Sequence, residues 1–308
     1  MTTSSVLVLG DLCLDTVVTG RLPRTWHGLM PREEPVFHVP IEERVGGSAF
    51  NFARHAAAVG MPPLIAGCVG SDPAGHAVIL ALEEAGFPHW IERISAAPTA
   101  RSLVAFDASG TRLLMTTERS ANDLLSADFV RSSVLPQARP CLVWLSGHCL
   151  RDRTAPRWTA VAEIIGQARE QGARVILDIV PHDFYRLFPG FDDLRSAIGP
   201  VDGVVAELDS LRRWLCVGGP GGPPGPEALT ATASAALDLV PFVLTRYHDG
   251  TKYRQFAAAR TGFRATQTRT IPDSGDLVGY GDFLASLAVR DYLEHLRTTA
   301  VRIGRADR

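Results

Sequence analysis

The chain has 308 residues, enough for one large α/β domain or such a domain with a small appendage, and enough to bury a sizeable core. Its 31 basic and 33 acidic residues leave a formal net charge of −2, which excludes the basic field of a nucleic-acid or anionic-membrane binder. No apolar run approaches a membrane span and the first five residues lack the positive region of a secretory leader, so a cytoplasmic protein is expected.

In chain order, Val6–Leu9 is a compact apolar strand ending in Gly10-Asp11. Thr16–Val45 has little helical periodicity and carries prolines, Trp26 and His27. Ser48–Val59 has helical spacing and is closed by Gly60. Leu64–Ala66 reads as a strand, and Asp72-Pro73 supplies an N-cap and a first-position proline to a helix ending at Gly86. Ser102–Phe106 and Arg112–Thr116 read as a hairpin around Ala108-Ser109-Gly110. Buried-type strands follow at Leu142–Leu145, Val175–Leu177, Val204–Val205 and Phe242–Leu244, with helices Arg157–Gln171 and Thr230–Leu239 between them. Gly218–Pro226 reads as a surface connection, because its prolines remove the N–H donors that a phosphate cradle needs. A last amphipathic helix, Phe283–Leu296, precedes a polar tail, Arg297–Arg308.

This alternation predicts a doubly wound, mostly parallel sheet with helices on both faces. The two irregular segments, 16–45 and 101–116, predict a small antiparallel β lid beside a main domain made of 1–15, 46–100 and 117–308. Their alternative is a place on the edges of the main sheet. The cysteines, Cys13, Cys68, Cys141, Cys149 and Cys216, are scattered and lack CxxC spacing, as expected of reduced thiols. Cys149 follows His148, but sequence neighbours rarely make a catalytic pair, and core packing is the simpler reading.

The stretch from Asp276 through Gly279-Tyr280-Gly281 to Asp282 carries the chemistry. Glycines ahead of a helix let phosphate approach free N–H groups. A carboxylate at that mouth repels phosphate, yet it suits a base that takes a proton from an attacking hydroxyl. Alone, the same residues read equally as a tight turn with Asp282 as helix N-cap.

Five motifs in order resemble the ribokinase/PfkB family of sugar and nucleoside kinases, over nearly the whole chain. They are Gly10 to Asp15, Gly46-Gly47-Ser48-Ala49-Phe50-Asn51, Gly67 to Gly75, the pair Thr99-Ala100-Arg101 and Ser120-Ala121-Asn122, and Asp276 to Asp282. The resemblance implies a ribokinase-like fold and transfer of the γ-phosphate of ATP to a hydroxyl of a sugar, polyol or nucleoside. Asp282 would be the base, and the N–H groups of Gly279, Tyr280 and Gly281 would stabilise the transferring phosphoryl. Asp15, Gly46, Gly47 and Asn51 would bind substrate, while Thr245, Gly250 and Asp276 would lie at the nucleotide.

The nucleotide half departs from the family pattern. Where the family carries Asn-x-x-Glu near Mg²⁺, this chain has Ala206-Glu207-Leu208-Asp209, leaving Glu207 and Asp209 as candidate metal contacts. Tyr247 replaces a glycine, Leu277-Val278 replace two threonines that contact phosphate or a monovalent cation, and Val180 replaces the asparagine of a DxN pattern begun by Asp178. The C-terminus is shorter than the family's usual one. An ATP-dependent kinase is therefore the first expectation. A catalytically weak or inactive relative, binding a small polar ligand as sensor or scaffold, is the second. A homodimer through the lid is the expected assembly.

Overall fold

A computed structural model describes residues 5–22, 38–107, 112–180, 184–215, 225–249, 251–270 and 280–306. The calls on Trp26, His27, Cys216, residues 218–224, Gly250, Asp276 and Gly279, and on the side chain of Tyr280, fall outside the described residues.

The strands are β1 (Val6–Leu9), β2 (Cys13–Leu22), β3 (Ile41–Gly46), β4 (Pro63–Gly70), β5 (His89–Ile94), β6 (Ala100–Asp107), β7 (Arg112–Thr116), β8 (Leu142–Ser146), β9 (Arg174–Asp178), β10 (Gly203–Glu207), β11 (Phe242–His248), β12 (Lys252–Ala259) and β13 (Arg264–Thr270). The helices are α1 (Ser48–Ala58), α2 (Pro73–Glu84), α3 (Ala127–Phe129), α4 (Pro156–Glu170), α5 (Phe184–Leu187), α6 (Phe191–Ile198), α7 (Leu208–Leu215), α8 (Pro226–Leu237) and α9 (Tyr280–Ala306).

Nine strands form one sheet in the order β13-β12-β11-β10-β9-β8-β1-β4-β5. All neighbours pair in parallel except β11–β12 and β12–β13. Strand order reverses between β1 and β8, and the crevice beyond the carboxyl ends of strands at such a reversal is where open α/β sheets bind ligands. The central strands are buried on both faces, which is why they read as continuous apolar runs. One core layer packs Phe52, Leu82, Ala285, Ala288 and Tyr292 of α1, α2 and α9 against the sheet, and the opposite layer packs Ile164, Leu211 and Ala233 of α4, α7 and α8.

A second sheet runs β3-β2-β6-β7. The hairpin expected at 102–116 is β6–β7, paired Ser102↔Thr116 to Phe106↔Arg112. The sheet is not wholly antiparallel, because β2 and β6 run parallel from Cys13↔Ala100. Those strands belong to distant chain segments joined through α1, β4, α2 and β5, and such a crossover frees them from the antiparallel constraint of a tight turn.

The edge strands β5 and β13, and β12 beside the latter, went unread in the sequence. β13 alternates threonine with alanine, glutamine and arginine and is largely exposed, so it carries little hydrophobic signal. The final helix also differs. It begins at Tyr280 and continues to Ala306 through the stretch expected to be a tail. Extending an existing helix adds a hydrogen bond for each residue ordered, so a polar segment of ordinary helix formers continues it.

Candidate functional site

The turn after β1 is built from backbone contacts. Asp11 N–H donates to Ser48 Oγ at 3.0 Å, and Ala49 N–H donates to the Asp11 carbonyl at 3.1 Å. Gly47 caps α1 with φ +91°, and a Cβ there would overlap the Asp11 carbonyl, so this position requires glycine. Asn122 closes the loop from the other side. Its Oδ1 accepts from Leu12 N–H at 3.1 Å, and its Nδ2 donates to the Leu12 carbonyl at 3.0 Å. Below them the buried Arg157 donates to Asp11 at 2.5 Å, to Asp123 at 3.1 Å and to the His148 carbonyl at 2.8 Å.

This frame presents Asp15 on β2. Asp15 is 5% exposed. Its Oδ1 accepts from Ser102 Oγ at 2.5 Å and from Cys13 Sγ at 3.0 Å. Gly46 lies against the other carboxylate oxygen, where a Cβ would overlap Oδ2. Asp15, Gly46 and Gly47 thus come together at the start of α1, with Asn51 one turn along and its N–H bonded to the Gly47 carbonyl. The Asn51 side chain is half-buried and makes no hydrogen bond to another described residue. Ser102 was not anticipated, since its contact with Asp15 exists only through the β2–β6 pairing Asp15↔Ser102.

The motif from Gly67 to Gly75 is structural. Asp72 caps α2 by accepting from Gly75 N–H at 2.8 Å, and it also accepts from Thr99 N–H at 2.9 Å and Thr99 Oγ1 at 2.6 Å. These bonds anchor the chain just before β6.

Asp282 sits within the first turn of α9 rather than at its N-cap, because the helix begins two residues earlier. First-turn N–H groups have no partner inside a helix. Packing of α9 on α1 brings the His55 ring to 5.5 Å from the Phe283 ring. Asn51 and Arg54 are three residues apart on α1, a rise of about 4.5 Å, so the helix that carries Asn51 also brings the Arg54 charge toward Asp282.

Beneath Asp282, three adjacent strand ends contribute charge. In-register pairs share a sheet face, and the pairings Val205↔Asp178 and Glu207↔Arg246 put Asp178, Glu207 and Arg246 on the face covered by α9. Arg246 Nε donates to Glu207 Oε1 at 2.9 Å, Nη1 donates to the Gly281 carbonyl at 2.9 Å, and Nη2 lies 3.9 Å from Asp178 Oδ1. Burial, and then the like charge of Asp178, push the half-buried Asp282 carboxyl up to about 7, against the pull of Arg246 and Arg54. Burial likewise raises Asp178, to about 6, with Arg246 opposing and Glu207 reinforcing it. Burial works against the Arg246 charge, but Glu207 and Asp178 outweigh it and hold the guanidinium protonated.

The remaining predicted residues lie as follows. Thr245 is fully buried in the middle of β11, and its Oγ1 has no hydrogen-bond partner among the described residues. Tyr247 packs its ring against Leu208 and Leu229. Asp209 is exposed on α7, away from the Arg246 contact made by Glu207. Among the described residues no three His, Cys, Asp or Glu side chains cluster as a metal cage. A hydrated Mg²⁺ needs none, since it is commonly held by one or two carboxylates and by substrate phosphates. Arg246 and Arg54 were missed in the sequence. Only strand register and helix packing bring them to Asp282, and no local motif marks them.

These features belong to a known class. Residues 15–215 match the model of the pfkB family carbohydrate kinases, and the chain belongs to that family. The match ends before Thr245 and Asp282. The chain is 30% identical over 288 residues to the bifunctional protein HldE of Halorhodospira halophila, an alignment that covers 89% of this chain and 53% of that protein. It spans about half the length of the curated relatives it matches. Among solved structures, adenosine kinase from Sinorhizobium meliloti superposes with a TM-score of 0.70 at 18% identity, over 92% of this chain and 86% of that one. A structure assigned as ribokinase II from E. coli, in complex with ATP and Mg²⁺, superposes with a TM-score of 0.69 at 16% identity, over 94% and 86%. The ribokinase-like fold expected from the motifs is therefore the fold of this chain.

Proposed function

We propose that this protein transfers the γ-phosphoryl group of ATP to a hydroxyl of a sugar-like or nucleoside acceptor, with Asp282 as general base. The observation that carries the reading is the placement of Asp282. It stands on a first helical turn, whose N–H groups lack intrahelical acceptors, and has a carboxyl raised to about 7, and α9 packs on α1, the helix that carries Asn51. A base with that pKa is half-ionised at neutral pH and still strong enough to take a hydroxyl proton in the transition state.

Asp15 and Asn51 would hydrogen-bond acceptor hydroxyls and aim one of them at phosphorus, with Asp282 receiving its proton. The N–H groups at the start of α9, together with Gly279 and Tyr280, would bind the phosphoryl oxygens. The orphaned Thr245 hydroxyl, Gly250 and Asp276 are assigned to the nucleotide side. Glu207, with Asp209 as the weaker candidate, would help hold Mg²⁺, which would supply neutralisation of charge on the ATP phosphates. Segments 16–45 and 101–116 would act as a lid that excludes water.

The competing reading, a relative that binds a ligand without turnover, draws on Ala206, the exposure of Asp209 and the capture of a Glu207 oxygen by Arg246. One experiment separates the two. ATP with Mg²⁺ is titrated calorimetrically into the protein, followed by an ADP-release screen over sugars and nucleosides. Binding with release supports the kinase, and acceptor binding without release supports the competitor.

Asn51→Ala is expected to raise the acceptor KM and leave ATP affinity unchanged. Equal weakening of both would remove Asn51 from the acceptor side.

A homodimer through the small sheet is supported by Ile41, Leu113 and Met115, which are 63%, 43% and 51% exposed. The pairings Val18↔Ile41 and Ala105↔Leu113, with Val18 touching Ala105, put Ile41 and Leu113 on one face, and Met115 lies two residues along. Sedimentation of the protein and of Leu113→Asp is expected to give a dimer and a monomer. A monomeric parent would refute the assembly. No helix among the described residues is long and apolar enough to cross a membrane. A cytoplasmic setting is supported by the proposed use of ATP and by the four described cysteines, which are free and mostly buried.

A further inference from the structure

We propose that Arg246 is a positioning residue, whose guanidinium holds the Gly281 carbonyl and so fixes the turn that carries Asp282. The inference rests on the kinase reading for its consequence in turnover, but not for its structural content.

Three observations support it. The first is the contact itself. Arg246 is 5% exposed and spends its fork on three different elements, β10 through Glu207, β9 through Asp178 and α9 through the Gly281 carbonyl. A planar guanidinium can hold such divergent acceptors in one geometry, whereas a lysine ammonium acts as a flexible point charge.

The second is the fit of Gly281. A Cβ added there would come within 3.0 Å of Arg246 Cζ and Nη2 and 3.3 Å of Nε. Gly281 is therefore small in part so that the guanidinium can lie against the backbone. This gives the glycine a role beyond the approach of phosphate.

The third is the sign of the charge. A cation placed against the first turn of a helix opposes the helix macrodipole, which favours anions there. An element placed only to stabilise the start of α9 would be an acid. Arg246 is tolerated because Asp178, Glu207 and Asp282 surround it, and what it gains there is a fixed hold on the turn. β11 is a central strand, so the turn that carries the base is referenced to the rigid sheet and not to the loop before α9.

The test compares wild type, Arg246→Lys, Arg246→Met and Gly281→Ala by hydrogen exchange and steady-state kinetics. Arg246→Met is expected to speed exchange at the amides of Leu284, Ala285 and Ser286, which bond to the first-turn carbonyls of α9, and leave the later turns of α9 protected. Its kcat is expected to fall on the order of 10²-fold, as an ångström-scale misplacement does, with acceptor and ATP KM little changed. Arg246→Lys keeps the charge without the fork and is expected to recover only part of both losses. Gly281→Ala pushes the guanidinium from the other side and is expected to reproduce the kcat loss. That variant keeps the test open if Arg246→Met does not fold. Unaltered exchange at Leu284, Ala285 and Ser286 in the folded variants would overturn the proposal. So would loosening along the whole of α9, which marks a merely structural residue. Absence of turnover in wild type would refute the kinase reading alone, because the exchange pattern still reports the hold on the turn.

Discussion

Asp282→Asn is expected to lower kcat by about 10²–10⁴-fold, the usual loss on removing a positioned general base, while the protein stays folded. The amide keeps the size of the carboxyl but cannot accept the proton. The pH profile gives a sharper form of the same expectation. The Asp282 carboxyl is raised to about 7 by burial and by Asp178, so kcat/KM should fall with decreasing pH below about 7. An unperturbed carboxylate would hold activity down to roughly pH 4. The sign for stability runs the other way from a salt-bridged acid. A carboxyl whose folded pKa is raised favours the fold when protonated, and that advantage is lost as pH rises from the unfolded value toward 7. Asp282→Asn is therefore expected to melt at pH 8 no lower than wild type. Steady-state kinetics and a thermal melt check both halves. Turnover retained in the folded variant would remove Asp282 as the base.

Gly46→Ala is expected to strike the acceptor and spare the nucleotide. Its Cβ would overlap the Asp15 carboxylate, and that carboxylate has no easy retreat. Ser102 and Cys13 hold its other oxygen at 2.5 and 3.0 Å, and Asp15 is nearly buried. Overpacking of this kind typically costs about 1–3 kcal/mol of stability, which a domain of this size survives. Displacing Asp15 by an ångström should cut kcat/KM for the acceptor on the order of 10²-fold, with ATP affinity by calorimetry unchanged. Unchanged acceptor kinetics in a folded Gly46→Ala would place the acceptor somewhere other than against Asp15.

Arg246 links these two results. Asp15 and Gly46 are positioned by β-pairing within the small sheet, and Asp282 is positioned by a guanidinium anchored in the large one. The helix that carries Asn51 reaches the start of α9, where the His55 ring lies 5.5 Å from the Phe283 ring. A change at that contact should therefore alter how acceptor and base line up without touching either group.

Much of this was legible in the linear chain because its causes are local. Asp72-Pro73 caps α2 through a bond three residues away, and the Ser48–Ala58 helix shows its own periodicity. Gly47 needs a positive φ, a property of that residue and its immediate turn. The apolar runs of β1, β8, β9, β10 and β11 announce strands buried on both faces. The order of motifs was enough to recognise the family, and Asp282 stood out as an acid at a glycine-rich helix mouth.

The rest required neighbours that the chain brings together from afar. Asp178, Glu207, Arg246 and Asp282 come from three strands and a helix, and no local spacing predicts that they share one buried cluster. Register decides it, since a shift of one residue would turn Arg246 to the opposite face of the sheet. Burial then raises the carboxyls, because their charge leaves water only after the layers close. The partner of Asp15, the parallel course of β2 and β6, and the continuation of α9 to Ala306 were settled in the same way. Local hydrogen bonding and residue shape write themselves into sequence, whereas electrostatics and strand register exist only once distant segments are in contact.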